Sequence, residues 1–234
     1  MNDKKCIEFE NVSKSYGSKQ ALSNVNVKLE TGKIIGLLGP NGSGKTTMIK
    51  IINGLLRSYQ GTCLIDGQLP NEVSKSMISY LPDEPYFQEW MKIKDALNLF
   101  RDHYQDFDWA LCMTLLDRLG LDPNLKIKSC SKGMKEKFQL ALVMSRKAQF
   151  YILDEPLGGV DPAARELILD IILKNYNENS CLLISTHLIS DIEKIFDEII
   201  FLKNGEVVLQ KNCEELRNET GKSVDETFRE VFKC

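Results

Sequence analysis

Gly39-Pro40-Asn41-Gly42-Ser43-Gly44-Lys45-Thr46 is the stretch on which the reading of this chain turns. It follows the pattern G-x-x-x-x-G-K-[ST], and what flanks it gives the pattern its meaning. Upstream, Lys33-Ile34-Ile35-Gly36-Leu37-Leu38 is apolar almost throughout, as a strand buried on both faces is. Downstream, Met48, Ile51, Ile52, Leu55 and Leu56 recur at helical spacing and predict a helix. Strand, glycine-rich loop and helix in that order make a cradle for phosphate. The glycines let successive backbone N–H groups converge on phosphate oxygens with no Cβ in the way. The helix N-terminus adds the positive end of its dipole. Lys45 can reach the β- and γ-phosphates, and the Thr46 hydroxyl can ligate Mg²⁺.

Further out, Ile7 to Val12 and Val25 to Leu29 alternate apolar and polar residues, with Tyr16-Gly17 as turn chemistry between them. They read as antiparallel strands with one wet face. Ile78 to Leu81, Phe150 to Leu153 and Leu182 to Ile184 are short buried-strand candidates with helical patterns between them. One such pattern is Pro162 to Tyr176, with Asp161 as N-cap and Pro162 in the first turn. From Met91 to Lys147 no buried strand is predicted. Ile93, Ala96, Leu97 and Phe100 recur at helical spacing, as do Leu111, Leu115, Leu116 and Leu119, and then Phe138, Leu142 and Val143. This segment reads as an all-helical insertion in an α/β fold. Ile199 to Leu209 reads as a hairpin turning at Asn204-Gly205, and the chain from Glu214 onward as polar with a short helical pattern.

Two further strand ends carry candidate chemistry. Phe150-Tyr151-Ile152-Leu153 runs into Asp154-Glu155, and in a parallel sheet the carboxyl ends of strands face the ligand crevice. Asp154 is placed to hold Mg²⁺ and Glu155 to take a proton from an attacking water. His187 follows the strand ending Ser185-Thr186 and can donate a hydrogen bond to the γ-phosphate or orient the water. His103 lies in a polar helical stretch and reads as a surface residue.

Composition narrows the class. With 30 Lys+Arg against 33 Asp+Glu in 234 residues, the near balance gives no reason to expect a nucleic-acid partner. No apolar run approaches the roughly 18 residues that span a bilayer, and the polar opening, Met1 to Cys6, predicts no secretory leader. The seven cysteines, Cys6, Cys63, Cys112, Cys130, Cys181, Cys213 and Cys234, lie at no metal-ligand spacing and read as reduced thiols, several of them buried.

Together these features resemble the ATP-binding cassette of ABC transporters, from about Ile7 to Leu209. The resemblance implies a P-loop NTPase (RecA-like) α/β core with an N-terminal antiparallel β-subdomain and an inserted α-helical subdomain. It divides the 234 residues as a single ATP-binding domain: core at about 1–90 and 148–210, helical subdomain at about 91–147, short C-terminal extension at about 211–234. It assigns ATP binding to Gly39, Asn41, Gly42, Ser43, Gly44, Lys45, Thr46 and Thr47. Lys45, Glu155 and His187 become the catalytic set, and Thr46 and Asp154 the Mg²⁺ ligands. Tyr16 falls where the family stacks an aromatic on adenine, or else is a strand-end turn residue. Asp161 in Gly159-Val160-Asp161 is implied to reach across a dimer.

Two segments depart from the family. Cys130-Ser131-Lys132-Gly133-Met134 stands at the signature that caps the γ-phosphate of the opposite subunit. Ser131 and Gly133 fit it, while Cys130, Lys132 and Met134 do not. The segment either serves that task or is an ordinary helix N-cap, and Lys132 either adds a positive charge or points into solvent. Asp83 in Tyr80-Leu81-Pro82-Asp83-Glu84-Pro85 stands where the family has a glutamine that touches Mg²⁺ and couples to the membrane domain. It either ligates the metal or sets a negative charge beside the triphosphate. Tyr86, Phe87 and Trp90 nearby form either a docking patch or part of the core.

The resemblance implies an ATPase subunit on the cytoplasmic face of the cell membrane. Its partners would be a separate transmembrane permease and a second cassette, identical or related. The branch it resembles serves bacterial exporters of peptides and antibiotics. The alternatives are a degenerate ATP-binding regulator with little turnover and a soluble ATPase acting on DNA or ribosomes. The latter needs a coiled-coil insertion or two cassettes, for which the chain has no room.

Overall fold

The computed structural model describes residues 4–233, so Met1 to Asp3 of the polar opening and Cys234 lie outside the described residues. Nine strands, β1 (Cys6–Tyr16), β2 (Lys19–Glu30), β3 (Lys33–Leu38), β4 (Gln60–Ile65), β5 (Ile78–Leu81), β6 (Phe150–Asp154), β7 (Cys181–Thr186), β8 (Glu198–Lys203) and β9 (Glu206–Asn212), make two sheets among the described residues. The helices are α1 (Lys45–Ile52), α2 (Glu72–Ser76), α3 (Ile93–His103), α4 (Trp109–Arg118), α5 (Lys132–Met144), α6 (Pro162–Asn175), α7 (Ile189–Ile192), α8 (Cys213–Thr220) and α9 (Val224–Phe232).

The larger sheet runs β5-β6-β7-β3-β8-β9, parallel from β5 to β8 and antiparallel only at β9. Its inner strands β6 and β7 are buried at every position, because α-helices pack on it where water would otherwise reach. The smaller sheet, β2-β1-β4, is antiparallel, and its alternating β2 pattern puts Leu22, Val25, Val27 and Leu29 inward. These side chains meet Ile35, Leu37, Met48 and Ile52 in one core, so the β-layer and the α1 face of the large sheet are joined by apolar packing. On the sheet's other face a second core unites Leu153, Leu182 and Ile184 with Leu97, Leu116, Phe138 and Ile172. The expected α/β class with an antiparallel β-layer and inserted helices is thus what the chain adopts.

Three details differ from the sequence expectations. The helix after the phosphate loop stops at Ile52. Asn53 caps it and Gly54 takes φ +62°, so Leu55 lies outside the helix and is exposed. Strand β4 had no sequence signal. Its Gln60-Gly61 start is polar, and Gly61 sits at φ +83° against the Asn11 carbonyl, where a Cβ would lie 2.3 Å from the oxygen. The polar-looking tail forms two helices, and Phe228 and Phe232 of α9 pack their rings against Phe201 in β8. The six described cysteines are free, and burial pushes the thiols of Cys63, Cys112 and Cys181 up to about 12, far from thiolate chemistry.

Candidate functional site

Parallel register decides which residues meet. Leu38 pairs with Thr186, Asp154 with Ser185, and Leu81 with Leu153. The loop after β3, the acids after β6, His187 after β7 and Asp83 after β5 therefore emerge at one edge of the sheet. The loop needs its glycines there. A Cβ on Gly39 would lie 2.3 Å from the Leu202 carbonyl oxygen, and one on Gly44, at φ +115°, 2.4 Å from that of Ala21. Lys45 opens α1 and is buried, its ammonium donating to the Gly39 carbonyl at 2.7 Å and standing 3.4 Å from Glu155 Oε1.

Across from it, Ser185 Oγ donates to Asp154 Oδ1 at 2.5 Å and accepts the Glu155 N–H at 3.0 Å. Glu155 is held at φ +51°, a left-handed conformation uncommon outside glycine and characteristic of functional turns. That turn presents its carboxylate to Lys45 on one side and to His187 Nδ1, 2.9 Å away, on the other. Asp154 is 1% exposed, and its second oxygen, Oδ2, has no partner among the described residues. Burial raises its pKa, opposed by the hydrogen bond from Ser185 and by the polarity of the nearby Thr46 hydroxyl. A buried carboxylate oxygen with a free lone pair beside a hydroxyl is a fitting pair of hard donors for Mg²⁺, which takes one or two carboxylates and leaves the rest to phosphate and water. Among the described residues there is no cluster of three or more His, Cys, Asp or Glu able to hold a metal alone.

A cleft of about 240 Å³ is lined by Tyr16, Asn41, Gly42, Gly44, Lys45, Thr46 and Thr47, together with Lys19, Asp83 and Glu155. Tyr16 is half exposed at its mouth. Gly39 and Ser43 support the loop from behind, the Ser43 side chain being buried against Gly39. Asp83 also lines an adjoining groove of about 710 Å³, which runs from Thr46 and Asp154 past Leu55 to Tyr86, Phe100, Tyr104 and Arg146. The aromatic cluster there divides. Phe87 turns inward, 5.2 Å from the Phe138 ring, while Tyr86 and Trp90 stay exposed.

Ser131, Lys132, Gly133 and Asp161 line neither cavity. Ser131 is the N-cap of α5, its hydroxyl accepting from the Met134 N–H at 3.2 Å. Lys132 is exposed and 3.8 Å from Glu136 Oε1 on its own helix, and a Cβ on Gly133 would meet nothing within 4 Å. Asp161 caps α6, accepting from the Ala164 N–H at 3.1 Å, and is exposed. His103 is a surface residue whose ring bonds the Leu99 carbonyl. Sequence reasoning passed over Ser185, which links both acids. Its only signal is a hydroxyl at the end of an otherwise apolar strand. Lys19, too, was not foreseen at the cleft.

A family model described as ABC transporter matches residues 22–158. The chain is similar to the uncharacterized ABC transporter ATP-binding protein YxlF of Bacillus subtilis, 32% identical over 91% of this chain and 73% of that one. It is likewise similar to the lantibiotic transport ATP-binding protein SrtF of Streptococcus pyogenes, 30% identical over 91% of this chain and 96% of that one. Among solved structures, an ATP-binding subunit of an ABC transporter superposes with a TM-score of 0.85 at 28% identity, over 97% of this chain and 99% of that one.

Proposed function

Given that the chain belongs to the ABC transporter family as an ATP-binding, ATP-hydrolysing subunit, we propose that it powers an exporter of peptide-type cargo through ATP-driven closure of two cassettes. A transmembrane permease would carry the cargo; no helix among the described residues is long and apolar enough to cross a membrane. The chain would sit against that permease on the cytoplasmic side, with the groove beside Tyr86 and Trp90 as its docking face. The lantibiotic-transport name of one relative supports the cargo class.

The observation that carries the reading is the meeting of Lys45, Asp154, Glu155 and His187 at one sheet edge, while Ser131 to Gly133 line neither of the cavities beside it. A site built so lacks a cover for the terminal phosphate, and the α5 N-terminus of a second cassette, carrying Ser131 and a positive dipole end, supplies one. The partner is a copy of this chain or a related cassette, with Asp161 near the seam. Tyr16 stacks on adenine, and the loop amides with Lys45 hold the phosphates. Thr46, Asp154 and Asp83 are the residues that would hold Mg²⁺, which would supply positive charge to offset that of the phosphates.

Glu155 takes a proton from a water whose oxygen attacks the γ-phosphorus. The bond to the bridging oxygen breaks, and ADP leaves with phosphate. His187, bonded to Glu155, orients that water and donates to the γ-phosphoryl oxygens. A regulator without turnover would have no need of this acid–histidine pair.

Glu155→Gln tests the reading. With Mg-ATP the variant should run as a closed dimer in light scattering and hydrolyse about 10²- to 10⁴-fold more slowly. A variant that stays monomeric or turns over at the parent rate removes the closure or the base, respectively.

A further inference from the structure

The turn between β1 and β2 brings a second cation to the cleft. Tyr16 and Lys19 are direct cross-strand partners around Gly17-Ser18, and side chains directly opposite in an antiparallel pair leave on the same face. Both line the cleft. The Lys19 ammonium stands on the outer side of the phosphate loop, 3.9 Å from where a Cβ of Gly42 would be.

The state of the neighbouring lysines makes this one distinctive. Lys14 also lies near Tyr16, but its ammonium donates to the Ser58 carbonyl at 2.5 Å and covers the Tyr16 ring at 5.1 Å. Lys45 is held by the Gly39 carbonyl and Glu155. Among the described residues the Lys19 ammonium has neither a hydrogen bond nor an ion pair, although Asp83 and Glu155 line the same cleft. A free, flexible ammonium at the mouth of an anion cradle has an anion as its natural partner.

We propose that Lys19 is a phosphate-binding residue of the nucleotide site, reaching the α- and β-phosphates from outside the loop. The inference rests on the ATP-site reading above. It follows from the order of groups along the cleft: Tyr16 marks the base end, Lys45 and Thr46 the γ end, and Lys19 comes from the Tyr16 side onto Gly42. A contact there serves di- and triphosphate alike, so Lys19 sets nucleotide affinity rather than discriminating ATP from ADP.

The test is titration of the full chain with Mg-ATP and Mg-ADP. Lys19→Gln should raise Kd for both nucleotides by the same factor, about three- to tenfold for one exposed charge–phosphate contact. Lys19→Arg should restore both, and the difference between parent and Lys19→Gln should shrink at high salt. Unchanged affinity in Lys19→Gln overturns the proposal, as does a loss confined to ATP, which would put the ammonium on the γ-phosphate. Lys45→Ala, titrated in parallel, separates the two readings. If it too binds like the parent, the phosphate-loop site fails, whereas loss in Lys45→Ala with none in Lys19→Gln sinks the Lys19 assignment alone.

Discussion

Along the strand-end edge, Asp154, Glu155, Ser185 and His187 are tied to one another by hydrogen bonds. At the start of α5, among the described residues, the Ser131 hydroxyl bonds within its own helix, the exposed Lys132 pairs only with Glu136 on the same helix, and a Cβ on Gly133 would meet nothing within 4 Å. The first arrangement fixes charged groups before any ligand arrives, so little reorganisation remains for the reaction. The second leaves donors and a helix dipole facing solvent, useful only to something that comes to them. On the proposed function, one region of the chain is a finished half-site and the other completes the half-site of a second cassette.

The largest effect should come from the finished half. Lys45→Ala removes the one buried ammonium of the loop. ATP binding and turnover should both fall, turnover by about 10²- to 10³-fold, as when one preorganised charge-stabilising donor is lost. Retained hydrolysis in purified variant would mean the edge is not the site, and the contrast between the two regions would lose its basis.

A strut joins the two regions, and it can be cut. The buried Arg146 guanidinium bonds Asp106 at 3.0 and 3.1 Å and the carbonyls of Ile78 and Ser76, both at 2.5 Å, and lies 3.7 Å from the Tyr104 ring centroid. It thereby clamps the helical insertion to the head of β5. Arg146→Met strands Asp106 and two carbonyls, at a cost of about 3 kcal/mol, the low end for a broken buried pair because Asp106 is partly exposed. The melting temperature should drop by roughly 6–12 °C. Nucleotide affinity measured well below that transition should stay near the parent value. If affinity falls with stability, the regions are not energetically separable.

How much of this was legible in the sequence depends on the range of the interaction. The phosphate loop could be read because strand, glycines, lysine and helix are adjacent in the chain. Asp154-Glu155 and His187 could be read because each ends an apolar run. The Ser185–Asp154 bond spans 31 residues and the Lys19–Gly42 approach 23, and neither has a local pattern. Strand order is equally hidden, since β3 sits between β7 and β8, far later in the chain. The left-handed turn at Glu155 is imposed by its two bonds to Ser185 rather than by any residue preference. The tail misled because α9 spaces Phe228 and Phe232 one turn apart among charged residues, so that only the apolar pair meets Phe201.

The outward half is best examined with Ser131→Asp. Aspartate caps a helix about as well as serine, so the melting temperature should be unchanged, within about 0.5 kcal/mol. Nucleotide affinity of the separate chain should also hold, because Ser131 lines neither cavity. Turnover should fall by about tenfold or more, since a carboxylate would then face the γ-phosphate of the opposing cassette. Parent-like turnover would reduce Ser131 to a plain helix cap.

The smallest effect inverts the usual direction and returns to the finished half. Asp154 keeps a buried carboxylate with one oxygen unpartnered, and burial raises its pKa. The folded chain therefore holds this proton at pH values where the unfolded chain has lost it. A carboxylate raised in the folded state costs stability as pH climbs through that interval, in full above the folded pKa. Asp154→Asn removes the charge and keeps the acceptor for Ser185. The ligand-free variant should be more stable than the parent at neutral pH, while losing turnover. The gain should shrink as pH falls and vanish below the ordinary carboxylate range, where both states carry the proton. Melting curves of parent and variant at several pH values without nucleotide measure this directly. A variant less stable than the parent at neutral pH would show that the Asp154 charge is already satisfied inside the edge, with no lone pair waiting for a cation.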